Sequence, residues 1–318
     1  MDKKRTKKNP GKKPKAPKSP DLTFQDPRGM KKITSDFTRI IKEKNFNSLK
    51  DANPFLQDMI SSGGFPDFSG ATATPLDQAK DLMYEAWDST GKRRIELALR
   101  AIEISKDCAD AYVLLAEEKA RDLIQAREYY ELGVKAGERA LGTKVFKNET
   151  GYFWGLIETR PYMRARTGLA DCLWRLGERL KAIEHYEDML RLNPNDNQGI
   201  RYILVNCLLV VGSDLSIEKL INQYKNDIAC SWTFSRALWI FRKEGPSHNA
   251  NKTLKKAIKQ NPFAPLYLLG KKKMPRSLPP YVGIGDENEA IDYAAESIEV
   301  WRNTSEALQW LALNHQTK

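Results

Sequence analysis

Residues 164–194 read RARTGLADCLWRLGERLKAIEHYEDMLRLNP, and this stretch indicates the fold class. Its large apolar residues recur three or four positions apart on both sides of Gly177, which is the spacing of amphipathic helices. Small side chains at Ala170 and Ala182 allow two antiparallel helices to approach closely, and Pro194 ends the second helix. The stretch is therefore predicted to form one helix-turn-helix unit.

The same unit recurs further along the chain, at an offset of twice the tetratricopeptide period. Residues 232–262 read WTFSRALWIFRKEGPSHNANKTLKKAIKQNP, and Gly245, Ala250 and Pro262 repeat the turn glycine, the small residue and the helix-ending proline. No alternating strand pattern interrupts the main body of the chain. The predicted fold is all-α: a tetratricopeptide-like helical-repeat solenoid of about five to six helix pairs. Residues 290–301 are assigned to the second helix of a distorted final unit.

Positive charge is concentrated at the start of the chain. The 318 residues carry 52 Lys and Arg against 41 Asp and Glu, a net charge of +11, and most of that excess lies within positions 1–20. Prolines interrupt this Lys-rich stretch and it lacks core-forming side chains, so residues 1–30 are predicted to be a disordered basic tail. Short helices are predicted at residues 31–61 and a Gly- and Pro-rich linker at 62–75. The solenoid is predicted at 76–318.

Neither a signal peptide nor a membrane-spanning helix is predicted. The charged start is not followed by the apolar stretch of roughly 7 to 15 residues that a signal peptide needs. The longest apolar stretch, at 202–211, is about half of what a bilayer requires. The four cysteines are widely separated in the chain and form no CxxC pair, so free thiols in a reducing compartment are expected. The predicted location is cytoplasmic, or nuclear in a eukaryote.

No catalytic, metal-binding or cofactor-binding set is predicted. The histidines His185, His248 and His315 are far apart in the chain, and none has a Cys or carboxylate at metal-ligand spacing. Asp286 followed by Glu289 is typical of a helix capping box rather than of a calcium-ligand set. A non-enzymatic protein without a cofactor is therefore expected.

Three stretches resemble a known family. They are DCADAYVLLAEEKARDLIQAREYYELGVKAGERAL at 107–141, RARTGLADCLWRLGERLKAIEHY at 164–186 and NPFAPLYLLGKKKMPRSLPPYVGIGDENEAIDYAAESIEVW at 261–301. Together they look like the suppressor of tumorigenicity seven family and its bacterial relatives, over roughly residues 76–311. The most specific part is the Asn-Pro-x-x-Pro-x-Tyr-Leu-Leu motif at 261–269, because it departs from a generic repeat.

This resemblance implies a tetratricopeptide-like helical array whose molecular role is poorly defined. Animal members of the family are similar in the repeats and carry membrane segments near their N-termini. The present chain has a Lys-rich stretch in that place. The membrane residence of the animal members is therefore not expected to carry over.

A partner-binding site is predicted on the concave face, which the first helix of each pair lines in tetratricopeptide arrays. Four residues at groove-facing positions are the candidates: Arg164, Arg201, Trp232 and Trp239. Guanidinium groups bind carboxylates bidentately and tryptophan supplies contact area, so these side chains suit a peptide or partner protein. The alternative is intramolecular, with each arginine paired to an acidic residue of a neighbouring helix and each tryptophan in the core.

Two segments interrupt the repeat pattern. One covers residues 142–158 and contains Tyr152, Phe153 and Trp154, and the other, at 270–289, is rich in proline. Insertions in repeat proteins usually form loops on one face, so both are places where function is expected.

The favoured function is a protein-interaction scaffold that binds a peptide or partner protein along its concave face. The alternative is a nucleic-acid- or ribosome-associated protein held by its Lys-rich tail, because lysines bind phosphate backbones without sequence preference. No aromatic residue is interleaved with the lysines at positions 1–20, so base stacking by the tail is not expected.

Overall fold

The computed structural model describes residues 73–316, and these residues form helices and no strands. The prediction of an all-α chain is confirmed. The predicted basic tail, the short helices at 31–61 and nearly all of the linker at 62–75 lie outside the described residues. The helices are α1 Pro75–Asp88, α2 Lys92–Ile104, α3 Ala109–Glu118, α4 Leu123–Asn148, α5 Arg160–Arg175, α6 Arg179–Leu192, α7 Ile200–Val211, α8 Asp214–Gln223, α9 Cys230–Glu244, α10 His248–Gln260, α11 Ala264–Leu268, α12 Glu287–Arg302 and α13 Ala307–Gln316.

These helices pack in pairs that follow the chain order. The pairs within residues 73–316 are α1 with α2, α3 with α4, α5 with α6, α7 with α8, α9 with α10 and α12 with α13. The first helices also pack on one another, since α3 contacts α1 and α5, and α9 contacts α7 and α12. The result is the predicted tetratricopeptide-like arrangement, with an inner layer of first helices and an outer layer of second helices.

The last unit differs from the prediction in its register. Residues 290–301 belong to α12, which packs against α7 and α9 of the inner layer and is therefore a first helix. The reason is that α11 spans only five residues, too few to serve as a first helix, so α12 occupies that place. This shift brings the side chains of α12 to the inner face.

Local signals set the helix ends. The Thr74 side chain accepts a hydrogen bond from the Asp77 N–H and the Asp77 carboxylate accepts one from the Thr74 N–H, both at 3.2 Å, which completes a capping box. The turns predicted at Gly177 and Gly245 have φ of 85° and 63°, a region that glycine enters without steric cost. None of the described helices is both long and apolar enough to cross a membrane.

Small residues allow the helices to approach. Ala170, Ala182 and Ala250 are completely buried, as the repeat pattern requires. Helices α4 and α5 cross closely, and a Cβ placed on Gly137 would lie 2.8 Å from the Tyr162 Cβ. Since real Cβ atoms do not come so near, glycine is needed at this crossing.

The first insertion is partly core rather than a surface loop. Helix α4 continues past a kink at Gly142, and the Phe153 ring is fully buried 5.1 Å from the Phe146 ring. The N–H groups of Gly151 and Phe153 donate to the Leu192 carbonyl at 2.8 and 3.3 Å, which draws the segment onto the end of α6. This part of the insertion therefore contributes to the core, while the Tyr152 side chain stays 70% exposed.

A buried carboxylate joins three helix ends near the C-terminus. Glu289 accepts hydrogen bonds from the Cys230 N–H at 2.8 Å, the Gly285 N–H at 2.7 Å and the Asn261 side-chain amide at 3.0 Å. Asp286 caps α12 by accepting from the Glu289 N–H, so only half of the predicted capping box forms. The Glu289 side chain instead ties the start of α9 and the end of α10 to α12.

Candidate functional site

Arg164, the first predicted contact residue, lies between α3 and α5. Its guanidinium donates to both oxygens of Asp110, from Nε at 2.8 Å and from Nη2 at 2.6 Å. The group also lies 5.7 Å from the centroid of the Trp87 ring. The Arg164 and Asp110 side chains are only 16% and 9% exposed, so this bidentate ion pair links two first helices within the protein.

Arg201, on the first turn of α7, is held by two carboxylates. Its Nε donates to Asp227 at 2.6 Å and its Nη1 donates to Asp196 at 2.9 Å. Its guanidinium carbon lies 4.2 Å from the ring centroid of Tyr202 and 5.2 Å from that of Tyr224. These contacts fix the guanidinium at the edge of the inner face, where 17% of the side chain stays exposed.

The two tryptophans lie deeper. Trp232 is 1% exposed and packs edge-on against the rings of Tyr202 and Tyr224, with centroids 6.4 and 5.8 Å away. Trp239 is buried, and its Nε1 donates to Asp214 at 3.1 Å. All four candidate side chains therefore make contacts with other residues of the chain. Their contact with a partner protein stays a prediction.

An inner groove of about 700 Å³ is formed where α7, α9 and α12 meet. One wall is the turn before α7, where Asp196 adopts φ of 47° and accepts the N–H groups of Ile200 and Arg201 at 2.8 and 2.9 Å. The opposite wall is α12, which contributes Asp292 and Glu296. The groove exists because α12 takes the place of a first helix and packs beside α7 on the inner face.

The α12 wall carries negative charge that is not neutralised locally. No Lys or Arg in the described part of the chain forms an ion pair with Asp292 or Glu296, which lie one helical turn apart. Desolvation, followed by the charge of Glu289, raises the pKa of Asp292. Desolvation, followed by the charge of Asp292, raises the pKa of Glu296. The groove therefore favours a ligand that brings positive charge or hydrogen-bond donors.

Sequence reasoning did not identify these two acids. The signal was present, because Asp292 and Glu296 are four positions apart on a helix whose opposite side carries Ala290 and Ala294. The prediction of a second helix at 290–301 places both acids on the outward side, away from the groove.

Burial shifts the pKa values of the cysteines and of His185. All four cysteines are buried free thiols, and burial raises the pKa of Cys108 and of Cys207 to about 12. Such thiols stay protonated near neutral pH and are poor nucleophiles. Burial and the adjacent Arg166 lower the pKa of His185, whose Nδ1 accepts a hydrogen bond from the Arg166 Nε at 3.1 Å. Within residues 73–316 no group of three or more His, Cys, Asp and Glu is placed to hold a metal ion.

A family model described as "ST7 protein" matches residues 65–318. The chain belongs to the ST7 family. A protein from Gallus gallus named "Suppressor of tumorigenicity 7 protein-like" is 26% identical over 282 residues, which cover 79% of this chain and 49% of the relative. The Bos taurus protein of the same name is 27% identical over 261 residues, covering 74% and 46%. "Protein ST7 homolog" from Drosophila melanogaster is 24% identical over 269 residues, covering 73% and 47%.

The ST7 match includes every described helix and both walls of the inner groove. It confirms the resemblance noted from residues 107–141, 164–186 and 261–301. This ST7-family chain spans about half the length of the curated relatives it matches.

Proposed function

We propose that this ST7-family chain is a non-enzymatic interaction scaffold that binds an extended peptide or partner segment in the inner groove. The observation that supports the proposal is the groove itself, of about 700 Å³ and bordered by three first helices. Helical-repeat proteins present such concave surfaces for binding, and each unit here adds one inner helix to the surface.

The charge of the groove indicates the chemistry of the ligand. Asp292 and Glu296 are partly desolvated carboxylates without a cationic partner among the described residues, so a Lys or Arg side chain of the ligand would stabilise their charged forms. Of the predicted contact residues, Arg201 lines this groove. In this proposal its exposed edge contacts the ligand while Asp196 and Asp227 hold it in place.

The test is a peptide selection on the purified full chain. Random peptides displayed on phage are selected on the wild-type protein, and the affinities of the enriched peptides are then measured by calorimetry. We expect enriched peptides to contain Lys or Arg, and we expect Asp292→Asn with Glu296→Gln to weaken their binding by about tenfold or more.

The matched control removes the same charge from the outer layer. Glu184→Gln with Glu187→Gln changes two exposed carboxylates of α6 and should leave the peptide affinities unaltered. If the selection yields no peptide whose binding differs between wild type and the groove variant, the inner groove is not the binding surface.

A second candidate function rests on the concentrated positive charge at positions 1–20. Such a segment would hold nucleic acid or a ribosome by releasing counterions, and its binding would fall steeply with salt. Deleting residues 1–20 should then abolish association with duplex DNA or ribosomes at low salt. Unaltered association after the deletion would remove this candidate.

A further inference from the structure

The helical part of the chain contains a strongly basic stretch. Residues 245–285 include eight Lys and Arg and no Asp or Glu. Positions 1–20 and 245–285 each have a net charge of +8, which together exceeds the +11 of the whole chain, so the remaining residues are net negative. The outer helices α4 and α6, in contrast, mix acidic and basic residues. Helix α10 belongs to the basic stretch and carries half of its cations.

The lysines of α10 lie on one side of the helix. They stand at positions 252, 255, 256 and 259, a spacing that brings side chains together over two helical turns. The other side of α10 is fixed in the core by four buried residues, Ala250, Leu254, Ala257 and Ile258. The lysines are all exposed and form what we call the α10 face: Lys252, Lys255, Lys256 and Lys259.

No carboxylate neutralises the α10 face within residues 73–316. None of its lysines forms an ion pair there. Glu244, the last carboxylate before α10 in the chain, accepts hydrogen bonds at the start of the helix from the Ser247 hydroxyl at 2.7 Å and the Asn249 amide at 3.1 Å. Helix α13, where the Trp310 Nε1 donates to the Asn251 side chain at 2.6 Å, contains no acidic residue. The charge of the α10 face is therefore left to solvent or to a partner.

This arrangement of charge costs stability. Like charges three or four positions apart on a helix repel each other, and the α10 face holds four such pairs. Opposite charges at the same spacing stabilise a helix, as Arg127 and Glu131 do on α4. An anionic ligand would relieve the repulsion, so the α10 face favours a polyanion.

The residue types of the α10 face favour phosphate among the polyanions. Lysine binds phosphate as a point charge, whereas bidentate recognition of carboxylates uses the planar fork of arginine, which α10 lacks. No large apolar side chain of α10 is exposed, so the face has nothing to insert among lipid chains. Nor does α10 contain a Phe, Tyr or Trp that could stack on unpaired bases.

We propose that the α10 face binds the phosphate backbone of duplex nucleic acid without sequence preference. Lys252 and Lys259 lie about 10 Å apart along the helix axis. A duplex presents one negative charge per about 1.7 Å of its own axis, so all four ammonium groups can contact phosphates at the same time. The release of condensed counterions drives this binding and makes it depend on salt. Because α10 is an outer helix, the surface is separate from the inner groove.

The test titrates the purified full chain into a fluorescently labelled DNA duplex, with binding followed by anisotropy between about 50 and 200 mM salt. The variant replaces the whole α10 face: Lys252→Gln, Lys255→Gln, Lys256→Gln and Lys259→Gln. We expect it to bind about tenfold or more weakly at the lowest salt. The slope of log affinity against log salt should fall by about 2–4, since each lysine that contacts a phosphate contributes about 0.9. Two duplexes of unrelated sequence should give the same slopes.

The matched control removes four exposed charges from the second helix pair and its extension: Lys119→Gln, Lys135→Gln, Lys144→Gln and Lys147→Gln. It should keep the wild-type slope. The α10 variant should have the circular dichroism of wild type and a melting temperature at least as high, because the changed side chains are in solvent and glutamine favours helix.

Four outcomes would overturn the proposal. They are the absence of duplex binding by wild type, an unchanged slope in the α10 variant, an equal loss in the control, and tighter binding of wild type to phosphatidylserine vesicles or polyglutamate than to the duplex at the same salt. In the last case a membrane or an acidic protein would be the partner of the α10 face.

The α10 face is tested separately from the other two candidate surfaces. Residues 1–20 are present in every variant, so a difference in slope reports on α10, and the deletion of those residues tests the tail. Asp292→Asn with Glu296→Gln should not reduce duplex binding, because both acids lie on the inner layer. Each candidate can therefore fail while the others stand.

Discussion

At the scale of single residues, Arg164 shows how one side chain can suit two roles. Its sequence position predicts a place on the concave face, and its chemistry suits a peptide carboxylate. In the folded chain the guanidinium meets Asp110, a residue 54 positions away, in a bidentate pair. Because Asp110 is buried, removal of the arginine leaves its carboxylate without a paired cation.

We predict that Arg164→Ala lowers the free energy of unfolding by about 3–5 kcal/mol, the range for a broken buried ion pair. Urea denaturation measures this change. Arg164→Met with Asp110→Leu should lower the free energy of unfolding clearly less than Arg164→Ala alone does, since no charge is then left buried. Arg175→Ala, which breaks an exposed pair with Asp171, should cost about 1 kcal/mol or less. Additive effects at Arg164 and Asp110 would contradict a coupled pair.

At the scale of helices, the array depends on small residues where neighbours cross. Ala182 on α6 is completely buried, and Gly137 on α4 leaves no room for a methyl group beside Tyr162. The alanine was predictable from the repeat, because Ala250 stands at the same place in the second unit. The need for glycine at 137 was not, because it arises from the crossing of α4 and α5.

We predict that Ala182→Leu overpacks the contact between paired helices and lowers the free energy of unfolding by about 1–3 kcal/mol. Thermal and urea unfolding both measure this. Glu184→Leu, on the exposed side of the same helix, is the control and should change stability by about 0.5 kcal/mol or less. A melting curve of Ala182→Leu that superimposes on that of wild type would contradict the repeat register.

At the scale of the whole molecule, α12 brings uncompensated acids onto the inner layer. Like charges held one helical turn apart without cationic partners destabilise a fold, so these residues are retained at a cost in stability. The raised pKa values of Asp292 and Glu296 mean that the folded state binds their protons more tightly than the unfolded chain does. By linkage, their contribution to stability increases as the pH falls.

We therefore predict that Asp292→Asn with Glu296→Gln raises the melting temperature at pH 7. The gain should shrink as the pH falls through the raised pKa values, and it should disappear below about pH 3, where both carboxyls are protonated in the folded and unfolded wild type. Scanning calorimetry at several pH values measures it. Glu184→Gln with Glu187→Gln should show no such trend, and a gain that grows on acidification would contradict the assignment.

The amino-acid sequence by itself determined the helix pairs up to residue 262, their turns and the first cap. These features depend on residues a helical turn or a whole repeat apart, a spacing that local geometry and repetition impose. The family was also visible in the sequence, and the match over residues 65–318 confirms it.

Only the tertiary structure decided which of these residues face the groove. The short α11 places α12 in the inner layer, which brings Asp292 and Glu296 opposite Arg201. Arg164 forms an ion pair with Asp110, and the Phe153 ring is buried in the core. Such contacts join residues that are distant in the chain, and they depend on how the stacked helices cross. Local periodicity carries no information about them.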